Sequence, residues 1–312
     1  MNNEFSEYFS VNAEDDQNIE NQIMLPNLSG HTMNIETIIG NRPNKCNTVE
    51  RPPSSNLLIR RDNKSVVASS LPNIWSANHR SLWPRFKNTL DELLELNAHI
   101  GFHCEVWEDK QNKNQQYQLE KAYELKGVKF ISTPRSDRIG GGVAITLIND
   151  SPFALEQINP TNPKKLDVCW GILKLKYPTS KLKSILLCSF YNPPSSRKQA
   201  ALIDHLSDTY YKYSNSEMGF ICAGDRNGIQ IDKFLEISDN FRQIVTQPTY
   251  NGNKVLDICV TDLGAYYFEP EIRSPVSPND CKRVPSDHNP WFVRPIKIPM
   301  TIAKRESLQS AK

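Results

Sequence analysis

Apolar residues are thin and irregular up to about residue 70, then fall into short, regular runs. Leu71–Ala77 (LPNIWSA) reads as a short strand. Pro84–Asn97 places Phe86, Leu90, Leu93, Leu94 and Leu96 at helical spacing, with Pro84 suited to a first turn. His99–Cys104 reads as a strand that runs straight into Glu105, and Gly140-Gly141-Gly142 opens another over Val143–Ile148. Leu166–Leu175 and Ser184–Phe190 are two strands with Pro178-Thr179-Ser180 as the turn between them. Gln199–Tyr213 is a helix with Ala201, Leu202, His205, Leu206 and Thr209 on one side. Met218–Ala223 is almost wholly apolar, the signature of a central strand. Leu256–Val260 and Trp291–Val293 complete the set. So many short strands with few helices between them predict an α+β fold: two packed sheets with helices outside.

The flanks differ from this central stretch. Residues 1–70 are rich in Asn, Ser, Pro, Glu and Asp, and no period is sustained there, so a disordered tail or linker is expected. The folded domain is expected over 71–296, with a fraying tail over 297–312. Charge is uneven although the net value is only +2. Residues 1–36 carry seven acids and no Lys or Arg, whereas residues 37–70 carry six bases against Glu50 and Asp62. That balance allows a nucleic-acid partner without requiring one, because phosphate binding needs a local patch.

Composition removes several classes. No apolar run approaches the length of a membrane span, and the first residues lack the basic and apolar regions of a secretory signal. A chain of 312 residues buries enough surface to need neither disulfides nor a structural metal. Its seven cysteines are odd in number, form no C-x-x-C, and mostly sit inside apolar runs such as Phe220-Ile221-Cys222-Ala223. They read as small buried hydrophobes in a reducing compartment, nuclear or cytoplasmic, and not as a secreted scaffold. A zinc site from His99, His103 and Cys104 would lack a second ligand pair at a usual spacing.

The chemistry gathers where apolar strands meet polar clusters. Ala77-Asn78, Cys104-Glu105, Phe190-Tyr191-Asn192 and Ala223-Gly224-Asp225-Arg226-Asn227 each follow a strand, and Ser286-Asp287-His288 precedes the last one. Strand ends on one rim of a sandwich converge on one cleft. Carboxylates, amides, an imidazole and a phenol suit phosphodiester hydrolysis. A hard cation wants oxygen ligands, water needs an acceptor, and the charged transition state needs donors. Each residue also has a bland reading. Asp225 and Asn227 are ordinary turn formers, Tyr191 is an ordinary strand residue, and Gly140–Gly142 is a flexible strand start without the Lys and Ser/Thr of a phosphate loop.

The order Asn78, Glu105, Tyr191, Asp225-x-Asn227, Leu256-Asp257 and Ser286-Asp287-His288 resembles the endonuclease/exonuclease/phosphatase superfamily. Asn78-His79-Arg80-Ser81-Leu82, Gly140-Gly141-Gly142-Val143-Ala144-Ile145 and Tyr191-Asn192-Pro193-Pro194 more closely resemble the apurinic-like endonuclease domain of non-LTR retrotransposons of the jockey and chicken-repeat kind. The resemblance spans about residues 71–296. It implies a four-layer α/β/β/α sandwich of two mixed, mostly antiparallel sheets. It also implies a Mg²⁺-dependent endonuclease, or one using Mn²⁺, that nicks one strand of double-stranded DNA and leaves a 3′-hydroxyl for target-primed retrotransposition. Element RNA and a reverse transcriptase would be its partners, and no membrane is involved.

Residue by residue, the resemblance makes Glu105 the principal metal ligand with Asn78 beside it and Asp287 completing the metal side. Asp225 would orient or deprotonate water, and Asn227 would hold Asp225 and the phosphate. Tyr191 would act near the scissile phosphate, and His288, oriented by Asp257, would bond a non-bridging oxygen. Arg80, Arg138 and Arg197 are candidate contacts to the DNA backbone. The sequence departs from the family at Arg226, where an aromatic is usual, and at Val106, where a Thr is usual. Arg226 needs a phosphate or a carboxylate partner if it is buried. The resemblance leaves two rivals: a phosphatase or RNA nuclease of the same superfamily, and a remnant that binds nucleic acid without cutting it. Nothing in the 24 residues after His288 looks like a polymerase, so a fragment, a truncated copy or a separate gene product is expected.

Overall fold

The computed structural model describes residues 70–106, 113–135, 140–179, 181–194, 196–251, 253–279 and 284–296. The expected tails therefore lie, except for Ser70, outside the described residues, as does Arg138. In chain order the elements are β1 (Ile74–Asn78), α1 (Phe86–Glu95), β2 (Ile100–Cys104), α2 (Lys113–Leu125), β3 (Val128–Thr133) and β4 (Val143–Ile148). They continue with β5 (Phe153–Ile158), β6 (Asp167–Leu175), β7 (Ser184–Tyr191), α3 (Gln199–Tyr213), β8 (Met218–Asp225) and α4 (Ile231–Leu235). Then come β9 (Arg242–Gln243), β10 (Asp257–Thr261), β11 (Glu271–Ile272) and β12 (Trp291–Val293).

The strands form two six-stranded sheets, ordered β11-β12-β1-β2-β4-β3 and β5-β6-β7-β8-β10-β9. Each is mixed, with a single parallel pair: β1 with β2, and β7 with β8. Period-two alternation explains the layering. On β7, Ile185 and Leu187 enter the core between the sheets while Leu186, Cys188 and Phe190 face the other way. The central core joins Ile74, Ile100, Phe102 and Ile145 of the first sheet to Cys169, Leu173, Leu187 and Ile221 of the second. Leu202 and Leu206 of α3 and Phe234 of α4 cover the outer face of the second sheet. Leu90 and Leu93 of α1, with Leu119 and Tyr123 of α2, cover Trp75, Ala144 and Phe292 on the first. The result is the four-layer α/β/β/α sandwich expected.

The differences in detail have local causes. The helix expected over Pro84–Asn97 starts later, because Trp83–Arg85 is a 3-10 turn holding Pro84 at its first turn. It ends at Glu95, and Asn97 takes a left-handed φ of 50° that closes the end. Six elements were not expected: α2, β3 and β5, and the short α4, β9 and β11. Helix α2 is mostly polar, and of its side chains Leu119 and Tyr123 are buried. Strand β3 buries Val128, Phe130 and Ile131. Strand β5 is an edge strand that buries only Phe153 and Leu155. Cys104, Cys169, Cys188, Cys222 and Cys259 are all buried free thiols, as their apolar settings predict. Among the described residues no helix is long and apolar enough to cross a membrane.

Candidate active site

Sheet register brings the polar strand ends together. Asn78 at the end of β1 pairs with Cys104 at the end of β2, so Glu105 emerges beside it. The chain after β1 is bonded to the chain after β2: the N–H groups of His79, Ser81 and Leu82 donate to the carbonyls of Cys104, Glu105 and Val106 at 3.0, 2.8 and 3.1 Å. Arg80, Ser81 and Glu105 adopt positive φ to make this junction. On the second sheet, Tyr191 of β7 pairs with Asp225 of β8, which pairs with Asp257 of β10. Strand β10 is antiparallel to β8, so its first residue reaches the rim where β8 ends.

The two rims are stitched by Asn78, whose Nδ2 donates to Glu105 Oε1 at 2.8 Å and to Asp225 Oδ2 at 3.0 Å. Asp225 is 1% exposed. Its Oδ1 accepts the Asn227 N–H at 2.9 Å, so the turn-former reading and the site reading hold together in one residue. Asn227 sits at φ 43° and donates from Nδ2 to the Asn192 carbonyl at 2.7 Å. Asn192, buried, donates from its own Nδ2 to the Arg226 carbonyl at 3.0 Å.

His288 Nδ1 lies 2.7 Å from Asp257 Oδ2, and its Nε2 faces Asp225 Oδ2 at 3.9 Å. Asp257 is fixed by Thr249, whose hydroxyl accepts its N–H at 2.9 Å. Ser286 ties the last segment to β1: its hydroxyl donates to the Asn78 carbonyl at 2.7 Å and accepts the His288 N–H at 3.2 Å. Tyr250 packs edge-on to the His288 ring at 4.8 Å, and the Asp287 charge raises the pKa of its phenol. Asp287 also faces Arg80 at 3.7 Å.

Electrostatics follows from this crowding. Burial alone would lower the His288 pKa, but Asp257, then Asp225 and Asp287, outweigh it and raise it to about 9. Burial, then the Asp257 charge, pushes Asp225 up to about 8. Burial, with the Glu105 and Asp225 charges, pushes the Tyr191 phenol well up, so it remains protonated. At neutral pH the imidazole is therefore a charged donor.

Asp225, Asp257 and His288 form a group with ligand atoms within 4.8 Å of one another, able to hold a metal ion. The donor set suits a hard divalent cation. Burial and the charges of Asp257 and Glu105 disfavour ionisation of Asp225, and a cation beside it would relieve that. The zinc alternative has no such set. His99 Nδ1 accepts the Asn73 N–H, His103 lies between His79 and Thr146, and the Cys104 thiol donates to the Phe190 carbonyl.

Among the expected residues, Asn78, Glu105, Tyr191, Asp225, Asn227, Asp257 and His288 are joined by these contacts, with Asp287 at their edge. Exposed Arg197 lies apart, on the rim of a cavity of about 270 Å³ that also borders Tyr191, Arg135, Lys165 and Lys198. Arg226 is held by carbonyls, its Nε donating to Val255 at 3.1 Å and its Nη1 to Ile229. It thus clips the turn after β8. Thr249, Tyr250, Ser286 and Asn192 support the site, and sequence reasoning assigned them no role. Only Asn192 and Ser286 lay inside quoted motifs.

This sandwich, with its polar rim, is the fold of the endonuclease/exonuclease/phosphatase, DNase-I-like enzymes. It is similar to the endonuclease domain of TRAS1, a telomere-specific non-LTR retrotransposon, at 14% identity and TM-score 0.50 over 72% of this chain and 98% of that one. It is similar to an AP endonuclease from Archaeoglobus fulgidus at 14% identity and TM-score 0.51, over 72% and 99% of the two chains. It is also similar to the AP endonuclease LMAP from Leishmania major at 12% identity and TM-score 0.55, over 78% and 100%. In sequence, no family profile and no curated protein matches the chain.

Proposed function

We propose that this chain is a metal-dependent phosphodiesterase that nicks one strand of double-stranded DNA and leaves a 3′-hydroxyl. The observation that carries the reading is the relay Asp257–His288–Asp225 abutting the Asn78–Glu105 pair on one rim of this fold. The likeness to the TRAS1 endonuclease domain supports an endonuclease that serves retrotransposition; in that role element RNA or a reverse transcriptase would be a partner.

Glu105 and Asn78 would hold the cation, Mg²⁺ or Mn²⁺, together with an oxygen of Asp225; Asp287 stands on the Arg80 side. The bound cation supplies charge to the phosphate oxygens and lowers the pKa of water. His288 is protonated and bonded to Asp257, so it is a donor to a non-bridging oxygen and not a ligand. Asp225, ionised where a cation offsets its neighbours' charge, would accept a proton from the attacking water, and the Asn227 N–H keeps that carboxylate oriented. The Tyr191 hydroxyl, kept protonated, donates near the same phosphate. Exposed Arg80, beside Asp287, and exposed Arg197 would be contacts to the DNA backbone.

Purified chain with supercoiled plasmid and Mg²⁺ should give open-circle product. EDTA and His288→Ala should each abolish it. Protein that binds plasmid but yields no product at any metal concentration would establish a binding remnant instead. Cutting of RNA alone, or release of terminal phosphate alone, would move the substrate within the superfamily.

A further inference from the structure

Three glycines in a row, Gly140 to Gly142, have no part in the chemistry above. Gly141 has φ +75°, and a Cβ built there would lie 2.3 Å from Arg135 Cζ. The side chain that fills this space is the one the glycine makes room for. Arg135 follows β3 by two residues and its side chain is 9% exposed. Its Nε donates to Asp167 Oδ1 at 3.0 Å and its Nη2 to Asp167 Oδ2, a two-point fork. Asp167, also buried, opens β6 and accepts the Gly142 N–H at 3.3 Å. Across the β6–β7 ladder Asp167 stands opposite Tyr191. The Arg135 guanidinium carbon lies 5.6 Å from the centroid of the Tyr191 ring.

We propose that Arg135 is a positioning residue for Tyr191, and that Gly141 is present to admit its guanidinium beneath that ring. Asp167 fixes the fork, the fork holds the guanidinium over the ring, and the hydroxyl on that ring feels the Glu105 carboxylate. Lysine cannot replace it: an ammonium makes no two-point fork and offers no plane to stack. The cation also offsets part of the negative field of Glu105 and Asp225 at Tyr191. Arg135 acts through Tyr191, and only its catalytic consequence rests on the proposed nuclease reading.

The test uses the full chain labelled with ring-¹³C tyrosine, with Tyr191→Phe assigning the signal. In the wild type, an Arg135 Nε–H protected from exchange with a nuclear Overhauser contact to the Tyr191 ring is expected. Its absence overturns the proposal without any variant. Arg135→Lys should move or broaden the Tyr191 signal and leave the other tyrosines in place. Where that variant fails to fold, Arg135→Met with Asp167→Leu removes both buried charges together and should move the same signal. An unmoved Tyr191 signal in a folded variant overturns the proposal. On plasmid, Arg135→Lys should lower kcat about tenfold with KM unchanged, and should have no further effect in a Tyr191→Phe background. Equal losses in both backgrounds overturn it. A wild type that nicks nothing would sink the nuclease reading, and the spectroscopic arm would still decide this one.

Discussion

Two histidines, both buried, have opposite electrostatic fates. His103 on β2 is 0% exposed, and its ring nitrogens meet His79 at 3.0 Å and Thr146 Oγ1 at 3.0 Å. Trp75, Tyr123 and Phe130 surround it, with ring centroids at 5.5, 6.4 and 6.4 Å. Burial drives its pKa down to about 3. His288 is 5% exposed, yet Asp257 at 2.7 Å holds its pKa at about 9. Burial alone therefore does not say what a histidine does. The neighbour decides: a neutral hydrogen-bonded ring in the core, a charged donor at the rim.

The largest expected effect separates the two by function. His288→Ala should lower nicking about 10³-fold, roughly 4 kcal/mol of barrier, while changing the melting temperature little. His103→Ala should lower stability and leave the rate per folded molecule within a few-fold. A His288→Ala protein that keeps a tenth of the activity would break the contrast.

The next effect is on acid stability. His103 has a folded pKa depressed from 6.5 to about 3, so its stability is present above pH 6.5 and is lost as pH falls towards 3. Between pH 6.5 and 4.5 this group alone should remove about 2.3 kcal/mol. Urea unfolding at the two pH values reads the loss, and His103→Gln should flatten that part of the curve. His288 runs the other way: its folded pKa is raised, so its contribution is present below 6.5 and lost as pH rises through about 9.

A smaller effect concerns the cation. Mg²⁺ at ten times its Kd should stabilise the fold by about 1.4 kcal/mol, roughly 3–5 °C in melting temperature. The gain should be larger at pH 8 than at pH 6, because the proton held by Asp225, whose pKa is about 8, competes with the ion. Thermal melts with Mg²⁺ and with EDTA measure it. Persistence of the gain in Glu105→Gln would place the ion elsewhere. The smallest expected effect is at Arg226. Arg226→Leu removes the bonds to the Val255 and Ile229 carbonyls and should cost about 1 kcal/mol, with nicking per folded molecule unchanged within twofold. A tenfold loss of rate would mean that Arg226 touches the reaction.

Much of this molecule was legible in one dimension. Strands over Val143–Ile148 and Trp291–Val293 and the helix Gln199–Tyr213 lie where the apolar period puts them. That period reports burial directly, since a face must alternate if it is to be covered. Among the missed elements, α2 and β5 bury only a few side chains each, so their periods are faint, and α4, β9 and β11 are too short to show one. The polar strand ends were visible because a catalytic rim interrupts apolar runs.

What residue order alone settled, then, is which polar residues stand at strand ends: Asn78, Glu105, Tyr191, Asp225 and Asp257 are each adjacent to an apolar run. Folding settled how those ends are wired. Asn78 bridges Glu105 and Asp225 across 147 residues of chain, Arg226 is turned onto carbonyls, and Arg135 meets Asp167 and Tyr191 across a sheet. Such contacts leave no trace in local periodicity, because pairing energy depends on distance and desolvation, and both are set by strand register.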